Sequence, residues 1–392
     1  MAADTGSFDV SVVGAGVVGL AAALGCAHQG LKVALIGPAA RLRVPTTEAP
    51  FDPRIYALAD ASIRPLDAVR AWSQVDPARI QAVVRMQIDG DAGGSLSFDA
   101  YAAAVDRLAT IVEESELLRV LWMACGFTPG LSHLDAAFEA LDPGADFTRV
   151  RLAGGRWIQT RLVLGADGRN SPVRAAAGIN AVEKPHGQTA VVANFACVEP
   201  HRGVAHQWFS AEGVVALLPL PGQHVSLVWS APDELASELL AMKANEMAAR
   251  VNARTDGRLG GLTQVGPSHG FALCDLRVER VVTDRLALLG DAAHVVHPLA
   301  GQGLNLGLQD VEQLCKVLAE REAWRDPGDL VVLRRHERAR AEPVGLMRLT
   351  VNSLARLFAT PDPAVRWLRN QGLDCVQAMP PVKNLLVRRA IG

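Results

Sequence analysis

Aromatic side chains are scarce in this sequence. They make up 5% of its 392 residues, and only two of them are tyrosines. Proteins that bind single-stranded nucleic acid stack bases on aromatic rings and follow the phosphates with excess positive charge. This chain has a formal net charge of −2, so we expect no nucleic-acid partner. Its hydrophobic content of 49% indicates a globular protein with a large core.

Cysteines are few, and none forms a CxxC pattern. The six are scattered at positions 26, 125, 197, 274, 315 and 375. This distribution predicts neither a disulfide framework nor a zinc site, and it favours a reducing, cytoplasmic setting. No HxxxH pair or carboxylate cluster suggests another metal site, and no GxSxG sequence suggests a serine nucleophile.

Charge is absent from Val10 to Leu31, a stretch long enough to cross a membrane. The preceding MAADTGSFD is acidic, however, whereas a signal sequence begins with basic residues. The stretch is also interrupted by glycines and divides into a β-branched half and an Ala/Leu half. We therefore expect a strand at Phe8–Val13, a helix at Val18–Gln29 and a strand at Leu31–Ile36.

The junction of the first strand and helix reads Gly14-Ala-Gly-Val-Val-Gly19, a GxGxxG pattern. Gly14 permits a tight turn, Gly16 lets a pyrophosphate approach the backbone, and Gly19 lets the helix pack closely on the strand. The free N–H groups at the start of the helix favour an anion. The pattern predicts a dinucleotide site, and the alternative is a glycine-rich turn without a ligand.

The acidic residue that usually binds the adenosine ribose is missing. The second strand ends in ALIGP, which puts Gly37 at that position. Arg41 or Arg43 could make the contact instead, or backbone and water could hold the ribose.

The middle of the chain has a different pattern. Between Thr189 and Trp229, four apolar segments alternate with turn sequences, which predicts an antiparallel sheet. Helices are predicted at Ile111–Trp122 and Leu235–Asn252, and they dominate after Leu304.

Two further apolar strands end in acidic turns. Arg161–Leu164 precedes Gly165-Ala-Asp-Gly168, and Arg285–Leu289 precedes Gly290-Asp291. Between Asp291 and Asp310, the segment AAHVVHPLAGQGLNLGLQ contains no Asp, Glu, Lys or Arg. One such turn is common, but both turns in this order after GxGxxG indicate one nucleotide site built from separate parts of the chain.

These motifs resemble those of the group A flavin-dependent aromatic hydroxylases, whose type member is p-hydroxybenzoate hydroxylase. Within that group, HPLAGQGLNLGLQD at 297–310 resembles the signature of the ubiquinone-biosynthesis hydroxylases of the UbiH/UbiF type. Similar stretches at 51–62, 98–118, 200–220 and 372–392 extend the resemblance over most of the chain.

The resemblance implies an α/β fold in which a Rossmann-like FAD-binding domain is interleaved with an antiparallel-sheet substrate domain and followed by a helical C-terminus. We assign 1–70, 98–180 and 276–340 to the FAD-binding domain. Residues 71–97 and 181–275 then form the substrate domain, and 341–392 form the helical C-terminal segment.

The resemblance also implies roles for individual residues. The expected FAD-binding set is Gly14, Gly16, Gly19, Arg54, Asp167, Gly168, Asp291, Pro298, Gly301, Gln302, Gly303, Leu304 and Asn305. Within it, the first three glycines would take the pyrophosphate, Arg54 would lie near the flavin and diphosphate, and Asp291 would bind the ribityl chain. In the family, the motif that contains Asp167 and Gly168 serves both FAD and NAD(P)H.

A flavin lying against the uncharged segment would explain its composition. Side chains at 301 and 303 would hold the flat ring away, whereas glycine lets backbone amides reach its edge. A helix beginning near Leu304 would direct N–H groups at N1 and the C2 carbonyl, where reduced flavin carries negative charge. Pro298 stands just before this helix, where a missing N–H has little effect. The alternative is a buried helix N-terminus without a ligand.

The antiparallel sheet is expected to cover the flavin and line the substrate pocket. Trp208, Leu218, Pro219 and Trp229 are candidate pocket residues, although each suits the core of a sheet equally well. His297, together with His294, could relay a proton or hold the backbone of the flavin loop.

The implied function is hydroxylation of the aromatic ring of a polyprenylated phenol or benzoquinol in ubiquinone biosynthesis. In that chemistry, reduced FAD takes up O2 to form a C4a-hydroperoxide that transfers oxygen to the ring. NAD(P)H or an external electron donor would reduce the flavin, and no second dinucleotide fingerprint is present. The alternatives are a flavin hydroxylase of another aromatic compound and a non-catalytic FAD-binding assembly subunit.

The expected partners are the prenylated aromatic substrate and O2, and the other subunits of a quinone-biosynthesis complex could join them. The basic and apolar segment from Leu346 to Leu385 could rest on a membrane or a partner enzyme, or cap the FAD-binding domain. We expect a cytoplasmic protein that could contact the inner membrane peripherally.

Overall fold

A computed structural model describes residues 6–39, 50–210, 212–296, 302–360 and 362–391, and its mixed α/β architecture confirms the predicted fold class. The strands are β1 (Ser7–Val13), β2 (Val33–Ile36), β3 (Ile55–Leu58), β4 (Gln81–Val83), β5 (Arg85–Asp89), β6 (Ser95–Asp99), β7 (Ala109–Glu113), β8 (Leu131–Leu134), β9 (Phe138–Pro143), β10 (Thr148–Leu152), β11 (Trp157–Gly165), β12 (Ala181–Cys197), β13 (Val204–Ser210), β14 (Gly213–Leu220), β15 (His224–Pro232), β16 (Leu262–Val278), β17 (Val282–Thr283), β18 (Leu286–Leu288) and β19 (His294–Val295). The α-helices are α1 (Val17–Ala27), α2 (Asp60–Ala68), α3 (Glu114–Phe127), α4 (Pro172–Ala176), α5 (Asp233–Ala241), α6 (Ala244–Arg254), α7 (Gly303–Ala319), α8 (Leu330–Ala359), α9 (Pro363–Gln377) and α10 (Pro380–Ile391).

The first sheet contains the predicted βαβ unit. Its main strand order is β17-β18-β11-β1-β2-β8, with β1 parallel to β2 and β11, and β11 parallel to β18. The register pairs Val13 with Gly165 and Gly165 with Leu288, so the carboxyl ends of β1, β11 and β18 lie side by side. The turns that follow these strands therefore meet at one edge of the sheet, where α/β proteins bind their ligands.

The second sheet confirms the antiparallel prediction for the middle of the chain. Its order is β19-β16-β12-β15-β14-β13-β5-β6, and every pair is antiparallel except β13 with β5. One face packs against α5 and α6 in a core that includes Val191, Leu239 and Met247. The opposite face packs Leu218 against Phe51 of the loop before β3.

Two helix predictions were wrong in extent. Residues 111–113 belong to β7, which lies between β3 and β4 in a separate three-stranded sheet, and α3 begins only at Glu114. The β-branched residues of this short apolar run suit a buried strand, and its period cannot be told from that of a buried helix. The helix expected at Leu235–Asn252 is two helices, because Met242 and Lys243 have extended backbones.

The C-terminal helices close one edge of the second sheet. Arg369 of α9 forms an ion pair with Asp91 of the β5–β6 turn and donates hydrogen bonds to Leu357 O and Phe358 O at the end of α8. Phe358 stacks on Phe209 of β13, with ring centroids 4.1 Å apart. Among the helices that the structure describes, none combines the length and apolar character needed to span a membrane.

The Arg369–Asp91 pair supplies a stability prediction. Replacing Arg369 with Met removes the most buried cation that pairs with Asp91 and leaves the carbonyls of Leu357, Phe358 and Thr360 without this donor. We expect the free energy of unfolding to fall by about 3 kcal/mol. Arg366 contacts the same aspartate but its side chain is 51% exposed, so Arg366→Gln should change it by less than about 1 kcal/mol. Urea denaturation of both variants measures the difference, and equal effects would contradict it.

Candidate cofactor site

The glycines of the first turn divide into two that are enclosed and one that is open. A Cβ on Gly14 would lie 2.2 Å from Ala166 O, and a Cβ on Gly19 would lie 1.9 Å from Gly14 O. These two positions let β1, α1 and the β11 turn pack together. A Cβ on Gly16 would meet nothing within 4 Å, so the backbone at the start of α1 faces open space. That space is where the pyrophosphate of a dinucleotide would approach.

Asp291 stands opposite the start of the second long helix of the site. A Cβ on Gly303, the first residue of α7, would lie 4.0 Å from Asp291 Oδ1. The Asp291 side chain is exposed, yet burial by the surrounding protein raises its pKa, while the charges of His294 and Arg54 oppose that rise. The free N–H groups at the start of α7 add positive potential beside this carboxylate.

Arg54 and Tyr56 of the β3 segment share one carboxylate, that of Glu114. Arg54 Nη1 donates to Glu114 Oε2 at 3.2 Å, and Tyr56 Oη donates to Glu114 Oε1 at 2.9 Å. Arg54 also lies over the ring of Phe271, a residue of β16, at 4.8 Å from its centroid. Burial raises the pKa of Tyr56, with Glu114 and Asp291 adding to the rise. The guanidinium of Arg54 thus contacts both Glu114 in the first turn of α3 and Phe271 in the second sheet, and its charge acts on Asp291.

The loop before Arg54 is held by a buried ion pair and an amide. Arg79 and Glu113 pair at 2.7 Å with almost no exposure, and Glu113 Oε1 also accepts the N–H of Asp52. Asn194 of β12 donates from Nδ2 to the carbonyls of Phe51 and Asp52, each at 3.1 Å. The position of Arg54 therefore depends on residues from the three-stranded sheet and from the second sheet.

The turn after β11 presents a second carboxylate. Asp167 Oδ2 accepts the N–H of Val173 at 3.0 Å, whereas Oδ1 is buried without a hydrogen-bond partner among the described residues. Burial raises the pKa of Asp167. An unpaired buried oxygen costs about 1–3 kcal/mol, so a bound donor at this turn would stabilise it.

Asp310 of α7 ties the turn after β18 to the helices. Its Oδ2 accepts the N–H of Gly290 at 3.0 Å and lies 2.7 Å from His294 Nε2, and its Oδ1 accepts from Arg340 Nε of α8 at 2.6 Å. Burial alone would raise the pKa of Asp310, but the charges of His294 and Arg340 hold it below its usual range. The ionised carboxylate keeps the turn that carries Asp291 in place.

The structure brings many of the predicted site residues to one region of the molecule. Gly14, Gly16, Gly19, Arg54, Asp167, Gly168, Asp291, Gln302, Gly303 and Leu304 belong to the turns and segments that converge on this edge of the first sheet. Asn305 does not offer its side chain, because its carboxamide bonds Ala57 O and Ala59 N. His297, Pro298 and Gly301 lie outside the described residues, as do Arg41 and Arg43.

Three of the four pocket candidates lie on the face of the second sheet that packs against α5 and α6. Trp208 and Trp229 are buried in the core beneath α5 and α6, and the strand period puts Pro219 on that face as well. These positions fit the alternative of sheet core, and because both faces of this sheet are apolar, the sequence pattern does not show which one lines a pocket. Leu218 alone of the four points to the cofactor side.

Four positioning residues were missed by sequence reasoning, namely Glu114, Asn194, Asp310 and Arg340. They act through contacts that join distant parts of the chain. Asp310 ends the 297–310 signature but was given no role, and no local pattern marks the other three. Tyr56 was missed as well, although a signal existed. It is one of only two tyrosines and stands two residues after Arg54.

Comparison with known proteins decides the family. A family model described as "FAD binding domain" matches residues 7–344. The chain belongs to this family of FAD-binding proteins. It is 36% identical to ubiquinone hydroxylase UbiL of Rhodospirillum rubrum over 98% of this chain and 89% of that protein. It is 31% identical to 3-demethoxyubiquinol 3-hydroxylase of Escherichia coli, with 98% of each chain covered.

Comparison with solved structures shows a similar fold. The crystal structure of PqsL, a probable FAD-dependent monooxygenase from Pseudomonas aeruginosa, superposes with a TM-score of 0.76 at 24% identity, covering 94% of this chain and 100% of that one. These matches confirm the sequence-based family assignment, and the chain is a FAD-dependent monooxygenase with FAD as its cofactor. The site fits that cofactor on its own geometry, because the open backbone at Gly16 and the unpaired Asp167 oxygen suit a ligand with phosphates and hydroxyls.

We expect two similar substitutions in the glycine turn to affect different properties, one the affinity for FAD and the other the stability of the apoprotein. Gly16→Ala places its methyl in the open space, so we expect the apoprotein to keep its melting temperature and to lose at least about tenfold in FAD affinity. Gly19→Ala drives a methyl into Gly14 O, so the apoprotein itself should melt lower. Flavin fluorescence quenching and calorimetry of the apoprotein separate the two effects. A Gly16→Ala protein that binds FAD normally would show that the open space is not the cofactor site.

The depressed pKa of Asp310 predicts how the free energy of unfolding depends on pH. Its folded pKa is depressed, so its contribution to stability is complete above the unfolded pKa of about 4 and is lost as the pH falls below it. Asp310→Asn leaves Arg340 buried without its acid and should lower the free energy of unfolding at pH 7 by about 3–5 kcal/mol. The gap between variant and parent should narrow from pH 4 to pH 3.

The control is the double variant Asp310→Asn/Arg340→Met, which removes the stranded charge and should recover part of the loss. Urea titrations at each pH supply the numbers. A gap that stays constant with pH would mean that the carboxylate is not ionised in the folded protein.

Proposed function

We propose that this protein hydroxylates the aromatic ring of a polyprenylated phenol or benzoquinol in ubiquinone biosynthesis. Both relatives named above are ubiquinone or demethoxyubiquinol hydroxylases that match nearly the whole chain. Bound FAD supplies the activation of O2. The chain's own residues must hold the cofactor, orient the ring and exclude water.

The observation that carries this proposal is the convergence of Arg54, Asp291 and the start of α7 at one edge of the first sheet, beside the second sheet. Gly14, Gly16 and Gly19 would receive the pyrophosphate, Asp291 would accept from the ribityl hydroxyls, and the Gln302–Gly303 backbone would face the flavin. We extend the same role to Pro298, Gly301 and Leu304, and we place Asp167 and Gly168 beside the cofactor.

The cofactor-side face of the second sheet offers a surface for a phenol with an isoprenoid tail. Val191 and Trp229 pair across β12 and β15 and point to the helices, so the alternate residues point the other way. They include the small apolar residues Ala190, Val192, Val214, Ala216 and Val228, and the uncharged polar residues Asn194, Ser226 and Ser230. Their surface suits an apolar substrate, and its lack of charge helps to keep water out.

The proposed domain division follows from the two sheets. We assign 1–70, 98–180 and 276–340 to FAD binding, 71–97 and 181–275 to the substrate, and 341–392 to the helical segment. The first sheet draws its strands from the first set, and β5, β6 and β12–β15 come from the second. The ligand site would then lie between them.

The electron donor and the protein's partners remain part of the proposal. Reduction would come from NAD(P)H or from an external electron donor, and a quinone-biosynthesis complex could supply neighbouring subunits. We favour peripheral contact with a membrane, because α8–α10 expose Leu346, Leu349, Trp367, Leu368, Leu385 and Leu386. The polyprenyl tail of the proposed substrate would partition into the same membrane.

The function is tested in cells that lack this protein. We expect their lipid extracts to accumulate a quinone precursor that lacks one hydroxyl group, and we expect the parent gene but not Asp291→Ala to restore the quinone. Mass spectrometry of the extracts identifies the precursor, and absorbance of the purified variant reports bound FAD. Normal quinone in the deletion would favour another aromatic substrate. Rescue by a folded Asp291→Ala protein without FAD would favour an assembly subunit.

A further inference from the structure

A second cavity, of about 530 Å³, opens between the end of β16 and one side of α8. The residues of α8 that line it recur every three or four positions, as expected for one face of a helix. They are His336, Glu337, Arg340, Ala341, Val344, Gly345, Arg348, Leu349, Asn352, Ser353 and Arg356. The opposite wall is formed by residues 277–281 with His294. This cavity is separate from the glycine turns and from the face of the second sheet described above.

Positive charge prevails in this cavity. Arg348 pairs with Asp275 at 3.4 Å, and Arg280 pairs with Glu279 at 2.6 Å. Arg277 and Arg356 also line the cavity, and neither has a carboxylate within ion-pair distance among the residues that the structure describes. Two guanidinium groups that line one cavity and have no ion-pair partner form a site for an anion with several oxygens.

The acids on the cavity wall do not neutralise these two arginines. Asp310 is bonded to His294 and Arg340. Glu337 accepts the N–H of Val281 at 3.2 Å. A backbone N–H does not cancel the charge of Glu337, and Glu279, the third acid on the wall, pairs with Arg280. The wall nevertheless carries five arginines against three acids, so its net charge remains positive.

The mouth of the cavity is apolar as well as basic. Leu349, which lines it, is 65% exposed, and Leu346, three residues earlier on α8, is 55% exposed. Exposed leucines beside a cationic cavity match the two parts of a phospholipid, whose phosphate is anionic and whose chains are apolar. A soluble phosphate would use the arginines but not the leucines.

We propose that this cavity binds the phosphate headgroup of an acidic phospholipid, and that Leu346 and Leu349 enter the adjacent lipid. The proposal deepens the peripheral membrane contact in the proposed function and rests on it for its physiological meaning. Arg277 and Arg356 make the specific contact, and the other cations of α8–α10 add general attraction to the surface. Bound in this way, the protein has α8 against the bilayer.

The test is sedimentation of the FAD-loaded, full-length protein with vesicles of phosphatidylcholine, with and without phosphatidylglycerol. We expect binding only to the anionic vesicles. Removing two cations from a membrane surface weakens binding by about thirtyfold, and Arg277→Gln/Arg356→Gln should show at least that loss. The matched control is Arg70→Gln/Arg202→Gln, which removes two exposed arginines outside the cavity and should stay within about twofold of the parent. Leu349→Ser should also weaken binding.

Three outcomes would overturn the proposal. Equal losses in the two double variants would mean diffuse attraction without a site. Failure of the parent protein to bind anionic vesicles would remove the lipid. Tight binding of inorganic pyrophosphate that depends on Arg277 and Arg356, without vesicle binding, would assign the cavity to a soluble phosphate compound.

An activity assay with a short-chain, water-soluble substrate analogue tests the lipid-binding proposal independently of the proposed function. The Arg277→Gln/Arg356→Gln enzyme should hydroxylate the soluble analogue at the parent rate and lose activity only on substrate embedded in anionic vesicles. If the parent protein hydroxylates neither substrate, the proposed function fails while vesicle binding still decides the cavity. Thermal melting of each variant checks that it is folded.

Discussion

The buried carboxylate of Asp310 is the contact on which the rest of the cofactor site depends. It joins the N–H of Gly290, the imidazole of His294 and the guanidinium of Arg340, which come from the turn after β18, from β19 and from α8. A charge in the protein interior is tolerated only when its partners replace the water it has lost. All three partners are therefore fixed relative to α7, and Asp291 is held opposite the start of that helix.

On the other side of the site, buried polar contacts likewise fix the position of Arg54. The segment that ends in Arg54 lies early in the chain, yet its position is set by Arg79, Glu113 and Asn194. Two of these belong to or adjoin the small sheet, and Asn194 belongs to the large antiparallel one. The cofactor side and the substrate side therefore share hydrogen bonds and cannot be arranged independently. The segments that form the two large sheets also alternate along the chain.

The parts of this molecule that could be predicted from sequence are those whose chemistry is local. A glycine turn between a strand and a helix carries its own explanation, since the steric demands at Gly14 and Gly19 act on backbone atoms nearby. Parallel strands then bring the turns at Asp167 and Asp291 to the same edge. The predicted antiparallel region was confirmed for the same reason, because its strands pair with their sequence neighbours.

Predictions failed where two alternatives have the same local pattern. Strand alternation specifies two faces for β13 and β15 but does not say which face meets α5 and α6, and so Trp208 and Trp229 were assigned to the pocket. Asn305 lies in the flavin signature, yet its carboxamide is used up by Ala57 and Ala59. In both cases the decisive partner comes from a distant part of the chain. Position within a motif identifies a neighbourhood, and tertiary contacts decide the role.

Gly37 stands where dinucleotide-binding proteins usually have an acidic residue, and its backbone conformation accounts for this departure. Its φ of +149° is one that residues with side chains rarely adopt, and a Cβ there would lie 3.3 Å from both the Cβ and the N of Ala15. The carbonyl of Gly37 also lies 2.9 Å from His133 Nε2. An acidic residue at this position would be strained and would press on the turn that receives the pyrophosphate. The strand end and the glycine turn are therefore packed too closely for an acidic side chain at position 37.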